Sequence, residues 1–253
     1  MPKVISERIG DHSSRLVYIW WVMRCVASAL LLLTLTLPAM AQSNPKPFTI
    51  TQTKPPDANP QYFPIGVFGK NPGFSDWVAR WYASELRALK EPSLYRNESS
   101  ASSEFGKNVN DVAYRITILP TWGNGVAIRV QKHGELYSLS ARRLDGQAGY
   151  DPGNLIESKD VALGADDSKT LEVLIRNLSF YEMSTEEEVR GTDGDEWIME
   201  GVSQGKYHVV VRWCPESYDT RKRKLTAFLT LCKFLVDKST LSARPKNKGH
   251  KLI

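Results

Sequence analysis

Glu196, Glu200, His208 and Arg212 are the residues whose types and spacing come nearest to a reactive constellation in this chain. They fall between Asp195 and Trp213, a stretch that alternates apolar and polar residues on either side of Ser203-Gln204-Gly205 and so predicts a β-hairpin. With a three-residue loop and Gly205 in the left-handed position, Val202 pairs with Lys206, Glu200 with His208, Ile198 with Val210 and Glu196 with Arg212. That register puts two carboxylates, an imidazole and a guanidinium on one face. A carboxylate beside a histidine favours the imidazolium, and Glu200 with His208 could serve as general acid and base or join a metal site. The same face fits a solvated ribbon of cross-strand ion pairs, each contributing little, and this second reading is preferred. The other face, with Trp197, Met199, Tyr207, Val209 and Val211, is expected to be core, Tyr207 covering Gly201.

The chemistry around that pair is sparse. There is no G-x-S-x-G motif or comparable nucleophile. Beyond residue 41 the only histidines are His133, His208 and His250, so a metal would lack a third ligand, and neither a metal nor a cofactor is expected. The run Asp145 to Asn154 is rich in turn formers but has neither dinucleotide-binding nor EF-hand spacing. Cys214 and Cys232, with 17 residues between them, are expected to form a disulfide that would add roughly 3 kcal/mol by loop closure. Two buried thiols are the alternative. Trp77 and Trp81 lie one helical turn apart and fit either a ligand platform or packing against a sheet, the latter preferred. Arg221-Lys222-Arg223-Lys224 sits at the expected start of the last helix, where the dipole disfavours positive charge; with Glu196 and Arg212 it is a candidate binding surface for a protein or an anionic envelope component.

The elements that must position these residues read as α+β, with mainly antiparallel strands and about three helices packed against one face. A first helix is expected from Ser75, with Val78, Trp81, Tyr82, Glu85, Leu86 and Leu89 inward and Pro92 ending it. Strands follow around Tyr114 to Ile118 and Val126 to Val130. A two-residue turn at His133-Gly134 would pair Val130 with Tyr137, Ile128 with Leu139 and Val126 with Ala141. A weak strand from Leu155 to Leu163 precedes a helix from Asp166 or Asp167 that carries Leu171, Leu174, Ile175 and Leu178. The last helix, Thr220 to Lys238, presents Leu225, Phe228, Leu229, Cys232, Leu235 and Val236 as one stripe.

The chain has 253 residues, 42% of them hydrophobic, and a formal charge of +5 that is too small and too dispersed to imply nucleic-acid binding. Residues 1–41 read as a signal peptide. An apolar run from Cys25 ends at Pro38, and Ala39-Met40-Ala41 sets cleavage between Ala41 and Gln42. Arg24 interrupts a longer apolar stretch at a cost of about 2.5–3.5 kcal/mol in a membrane, which a start at Met23 would relieve; an uncleaved anchor is the alternative. Removing the leader leaves 29 basic against 26 acidic residues, a charge of +3, and no transmembrane helix is expected in the mature chain. Residues 42–73 read as a proline-rich arm, 74–238 as a single domain and 239–253 as a basic tail.

Asp193-Gly194, Trp197, Glu200, Gly205, Tyr207-His208, Arg212-Trp213 and Pro215 form a pattern at the hairpin. It extends upstream to Trp81-Tyr82, Leu86-Arg87-Ala88-Leu89, Glu91-Pro92, Gly149-Tyr150 and Pro152-Gly153. In these residues the chain resembles a family of uncharacterised exported bacterial proteins. The resemblance implies one compact domain and an exported, periplasmic or secreted location, and carries over no catalytic residue. The resulting expectation is a non-enzymatic module that binds a protein or envelope component, with a small hydrolase or metal-dependent enzyme using Glu200 and His208 as the alternative.

Overall fold

The computed structural model describes residues 61–95, 111–217 and 219–242, all within one compact unit, Pro55–Ile253. The leader expected over residues 1–41 with its expected cleavage between Ala41 and Gln42, most of the expected proline-rich arm, the serine-rich stretch after Tyr95 and the segment beyond Ser242 lie outside the described residues.

Period-2 alternation produces six antiparallel strands: β1 (Ala113–Pro120), β2 (Val126–His133), β3 (Leu136–Leu144), β4 (Leu155–Ala162), β5 (Asp195–Ser203) and β6 (Lys206–Trp213). They form one sheet in the order β4-β3-β2-β1-β5-β6. Three α-helices accompany them among the described residues, α1 (Pro72–Ala88), α2 (Ala165–Leu178) and α3 (Thr226–Lys238). The fold is α+β. The helices do not share one face, however. Leu171 and Leu178 of α2 and Phe228, Leu229, Cys232 and Leu235 of α3 join Ile116, Ile128, Leu139, Met199 and Val210 in one core. Val78, Tyr82 and Leu86 of α1 pack instead with Leu119, Ile198 and Val209, which point the other way. The inner strand β1 is therefore buried at every position, polar residues included.

α1 starts three residues before Ser75. Asn71 is the N-cap, its side chain accepting from the Phe74 amide, and Pro72 takes the first turn, where its missing N–H costs nothing. Ser75 is buried inside the helix and accepts a hydrogen bond from the Phe68 amide. That bond holds the preceding segment down: Tyr62, Phe63 and Phe68, expected in the arm, belong to the same core as α1. α3 begins at Thr226, so the basic run 221–224 is a turn before the helix and not its first turn.

Both hairpin registers differ from expectation. In the β2–β3 hairpin the loop is Gly134-Glu135, not His133-Gly134, which places Val130 opposite Leu139 and Ile128 opposite Ala141. A slip of two residues keeps every side chain on its face, so the core composition survives. In the β5–β6 hairpin the loop has two residues, Gln204 (φ 52°) and Gly205 (φ 71°), both left-handed as a type I′ turn demands. Ser203 now pairs with Lys206, Gly201 with His208, Glu200 with Val209 and Trp197 with Arg212. The one-residue difference sends Glu196 and Glu200 to the α1 face and His208 and Arg212 to the α2–α3 face. Glu200 is thus not paired with His208, nor Glu196 with Arg212.

The rings over Gly201 are Tyr114 and Phe180; a Cβ there would lie 2.7 Å from each, and Tyr207 packs on the opposite face. Cys214 and Cys232 are not bridged. Both are buried free thiols, Cys232 within the α3 stripe, while Cys214 Sγ accepts from the Asp195 amide at 3.3 Å beside the β5 start.

Two outcomes follow. Gly201→Ala should destabilise the fold by about 1–3 kcal/mol through overpacking, read as a lower denaturant midpoint; an unchanged midpoint would refute the close approach of the two rings. Protein spanning residues 42–253, purified without reductant, should titrate two thiols with Ellman's reagent once unfolded in guanidinium and react slowly when native, because burial pushes both thiols up. A count of zero after unfolding would restore the disulfide.

Candidate functional site

Of the residues singled out by sequence, Glu200 is the most enclosed. It is fully buried on the α1 face, where Arg115 Nε (2.9 Å) and Nη2 (2.5 Å) donate to one carboxylate oxygen and the Tyr207 hydroxyl to the other at 2.9 Å. Arg115 continues to the Pro92 carbonyl at 2.6 Å and to Glu91 at 3.5 Å, and Glu91 in turn receives Arg129 at 2.9 Å. Burial and its bonds to Arg115 and Tyr207 give Glu200 the part of a fixed counter-ion. His208 lies on the other face of the sheet, its Nε2 2.8 Å from the Met183 carbonyl oxygen and its ring against Phe180 and Tyr181. The acid–base pair expected from the sequence is therefore not assembled.

Arg212 and Arg223 have structural partners. Arg212 donates to the Thr185 and Ser184 carbonyls, and the Val211 amide donates to Thr185 as well, so residues 184–185 cover the exposed edge of β6. Arg223 donates to the Trp213 and Cys214 carbonyls and to the Glu187 carboxylate. Only Arg221, Lys222 and Lys224 of the basic run are exposed, and Lys222 pairs with Asp219 at 3.0 Å.

What the structure does assemble is a cleft of about 420 Å³ where α1 meets the end of the β5–β6 ribbon and the loop 186–194. Its floor combines Glu196 with Trp213, direct cross-strand partners. One wall is a shelf on α1. Phe74, Trp77 and Trp81 recur at helical spacing, with ring centroids 6.0 and 5.8 Å apart and tilts of only 31° and 35°. Trp81 is fixed by its indole N–H, which donates to the Ala148 carbonyl at 2.9 Å and brings the Gly149-Tyr150 turn to the rim. Tyr150 stacks on Trp122, centroids 5.0 Å apart. Gly191 forms part of the remaining wall, where any side chain would strike the Trp213 ring.

Burial decides what this aromatic group means. Trp81 is half-buried, consistent with packing, but Trp77 remains 51% exposed, Phe74 46% and Tyr150 66%. A large ring left in water at one site is unremarkable, but several converging on a concavity form a surface that lacks its apolar partner. Trp77 and Trp81 were identifiable by spacing. Tyr150, Trp213 and Glu196 come from remote segments, and only the β5–β6 register and the Trp81–Ala148 bond bring them together.

Among the carboxyls at this cleft, that of Glu196 is perturbed. Burial pushes its carboxyl up to about 7; Arg190 and the Tyr82 hydroxyl oppose the rise, and Glu186 and Glu187 add to it. Glu85, one turn beyond Tyr82 on α1, is raised further, to about 8, by burial and by the Asp151 charge, and its Oε2 has no hydrogen-bond partner. No group of three or more ligating side chains among the described residues is placed to hold a metal ion, and no helix among them is long and apolar enough to cross a membrane. No protein-family model, curated protein or solved structure matches the chain.

The Glu85 environment has a measurable sign. Its folded pKa is raised, so the unfolded chain ionises first, near 4.5, while the folded protein holds the proton to about 8. Stability from this group is complete below the lower value and is lost as pH rises through the window, at up to about 1.4 kcal/mol per pH unit. Glu85→Gln should match wild type near pH 4.5 and exceed it in denaturant midpoint at pH 8; a constant difference across that range would contradict the assignment.

Proposed function

We propose that this protein is a non-enzymatic, exported binding module whose ligand occupies the aromatic cleft formed by α1, the end of the β5–β6 hairpin and the loop 186–194. The observation that carries this reading is the convergence of Phe74, Trp77 and Tyr150, all substantially exposed, on one concavity that also holds the perturbed carboxyl of Glu196. An apolar lining with a few convergent polar groups is the general form of a small-ligand site, and a volume of about 420 Å³ is within the usual range. The exported location rests on the leader read from residues 1–41 and on the family resemblance. Separation of Glu200 from His208 by the sheet removes the main support for an enzyme built on that pair.

A thermal-shift panel of neutral sugars, organic cations and small carboxylates tests the reading. A ligand at about one hundred times its Kd should stabilise the fold by about 2.7 kcal/mol, visible as a rise of several degrees in Tm. The rise should occur in wild type and His208→Ala and vanish in Trp77→Ala, whose exposed side chain the fold does not need. A panel without a hit, or a hit that Trp77→Ala retains, would overturn it.

A further inference from the structure

We infer that the ligand of this cleft carries an organic ammonium group, seated against the indole faces of Trp77 and Trp81 with its charge toward Glu196. This rests on the reading of the cleft as the binding site and adds the chemical class of its occupant. The lining contributes four carboxylates, Glu186, Glu187, Asp193 and Glu196, against one cation, Arg190, and contains no lysine. Arg190 is committed to Glu186 at 2.6 Å, and Glu187 is held by Arg223 and, at 3.9 Å, by Arg212. Glu196 differs. The nearby Tyr82 hydroxyl favours its charged form, and among the described residues it makes no ion pair.

A cation suits both halves of this arrangement. The negative faces of tryptophan and tyrosine rings attract an ammonium group, most strongly when it is partly withdrawn from water, and a nearby carboxylate supplies the counter-charge. An anion would meet the acidic lining. A neutral sugar would stack on the rings without using the charge of Glu196.

Ionised Glu196 is the form that binds a cation, and burial pushes its carboxyl up to about 7. Binding should therefore strengthen as pH rises through neutrality. The groups facing Glu196 are Tyr82 from α1 and Glu186, Glu187, Arg190 and Asp193 from the loop 186–194; Arg212 lies on the opposite face of the ribbon.

The test is calorimetric titration of the protein at fixed ionic strength with choline, n-butylamine, cellobiose and acetate. Choline or butylamine should saturate wild type, with the preferred one separating a quaternary headgroup from a primary amine. Glu196→Gln, which keeps the shape of the protonated acid, should bind it about tenfold more weakly. The affinity of wild type should rise several-fold between pH 6 and pH 8, and that of Glu196→Gln should stay flat. Equal affinity in the two proteins overturns the inference. Saturation by cellobiose or acetate with neither amine binding also overturns it, while leaving the cleft as the binding site provided Trp77→Ala abolishes that saturation. Amine binding that Trp77→Ala retains, or no saturation by any of the four probes, overturns it too.

Discussion

Arg115 places a positive charge in the middle of the sheet with no exposure to water, and the α1 side of the molecule is arranged to make that charge tolerable. Withdrawing such a group from solvent costs several kcal/mol unless its donors are satisfied by charge and geometry. Here Glu200 on β5 meets it from one side and the Pro92 carbonyl and Glu91 from another, while Arg129 on β2 shares Glu91. Tyr207 on β6 fills the second oxygen of Glu200, and the Tyr62 hydroxyl donates to the Glu91 carbonyl at 2.8 Å. One network thus joins four strands to the chain on both sides of α1. Truncating a single partner would strand the others, the usual reason a buried ionic cluster tolerates change poorly even when it adds little net stability.

That network also explains why α1 occupies its own face. The interior strand β1 presents Ile116 and Ile118 to α2 and α3, and Arg115, Thr117 and Leu119 to the other side. A bare sheet would leave the second set in water. Covering it with α1 and the segments around it withdraws the polar groups beneath from water, and toward β1 and β2 the ion pairs satisfy the charged ones, while Thr117 Oγ1 is left without a partner. Nearer the cleft the cover is aromatic: Phe63, Phe68 and Tyr82 pack edge to face, centroids 5.0–6.2 Å apart. The shelf of Phe74, Trp77 and Trp81 lies along the same helix.

How far the sequence could reveal this follows from what periodicity encodes. Alternation located the strands, and the helical stripes of α2 and α3 gave the buried residues of one core, because these patterns are local. Alternation cannot distinguish a polar face that meets water from one that meets a covering helix, so Glu200 read as a solvated position. The same ambiguity misled the hairpin register. Pairing Glu200 with His208 and Glu196 with Arg212 gathered the charged side chains on one face, but with both faces covered polarity no longer separates them. Gln204 accepting φ 52° then allowed the shorter loop. The leader and the tail expected from composition lie outside the described residues.

Three carboxyls on this side of the sheet, the buried Glu200 and Glu85 and the half-buried Glu196, show why one of them points to a ligand. Glu200 is closed by a guanidinium and a tyrosine hydroxyl, and its burial serves the fold. Glu85 is packed near Gly125, Leu119 and Leu144, with no opening toward the cleft, and keeps its proton. Glu196 shares their low-dielectric surroundings but borders the cleft, opposite Trp213 and below the α1 shelf. Burial raises the carboxyl of each, yet the remedy differs: a permanent counter-ion for the first, a proton held to about pH 8 for the second. For Glu196, poised near neutrality, neither is fixed. A group left at that balance beside unfilled aromatic surface gains most from a charge that arrives from outside, since such a ligand would relieve the electrostatic and the hydrophobic deficit together.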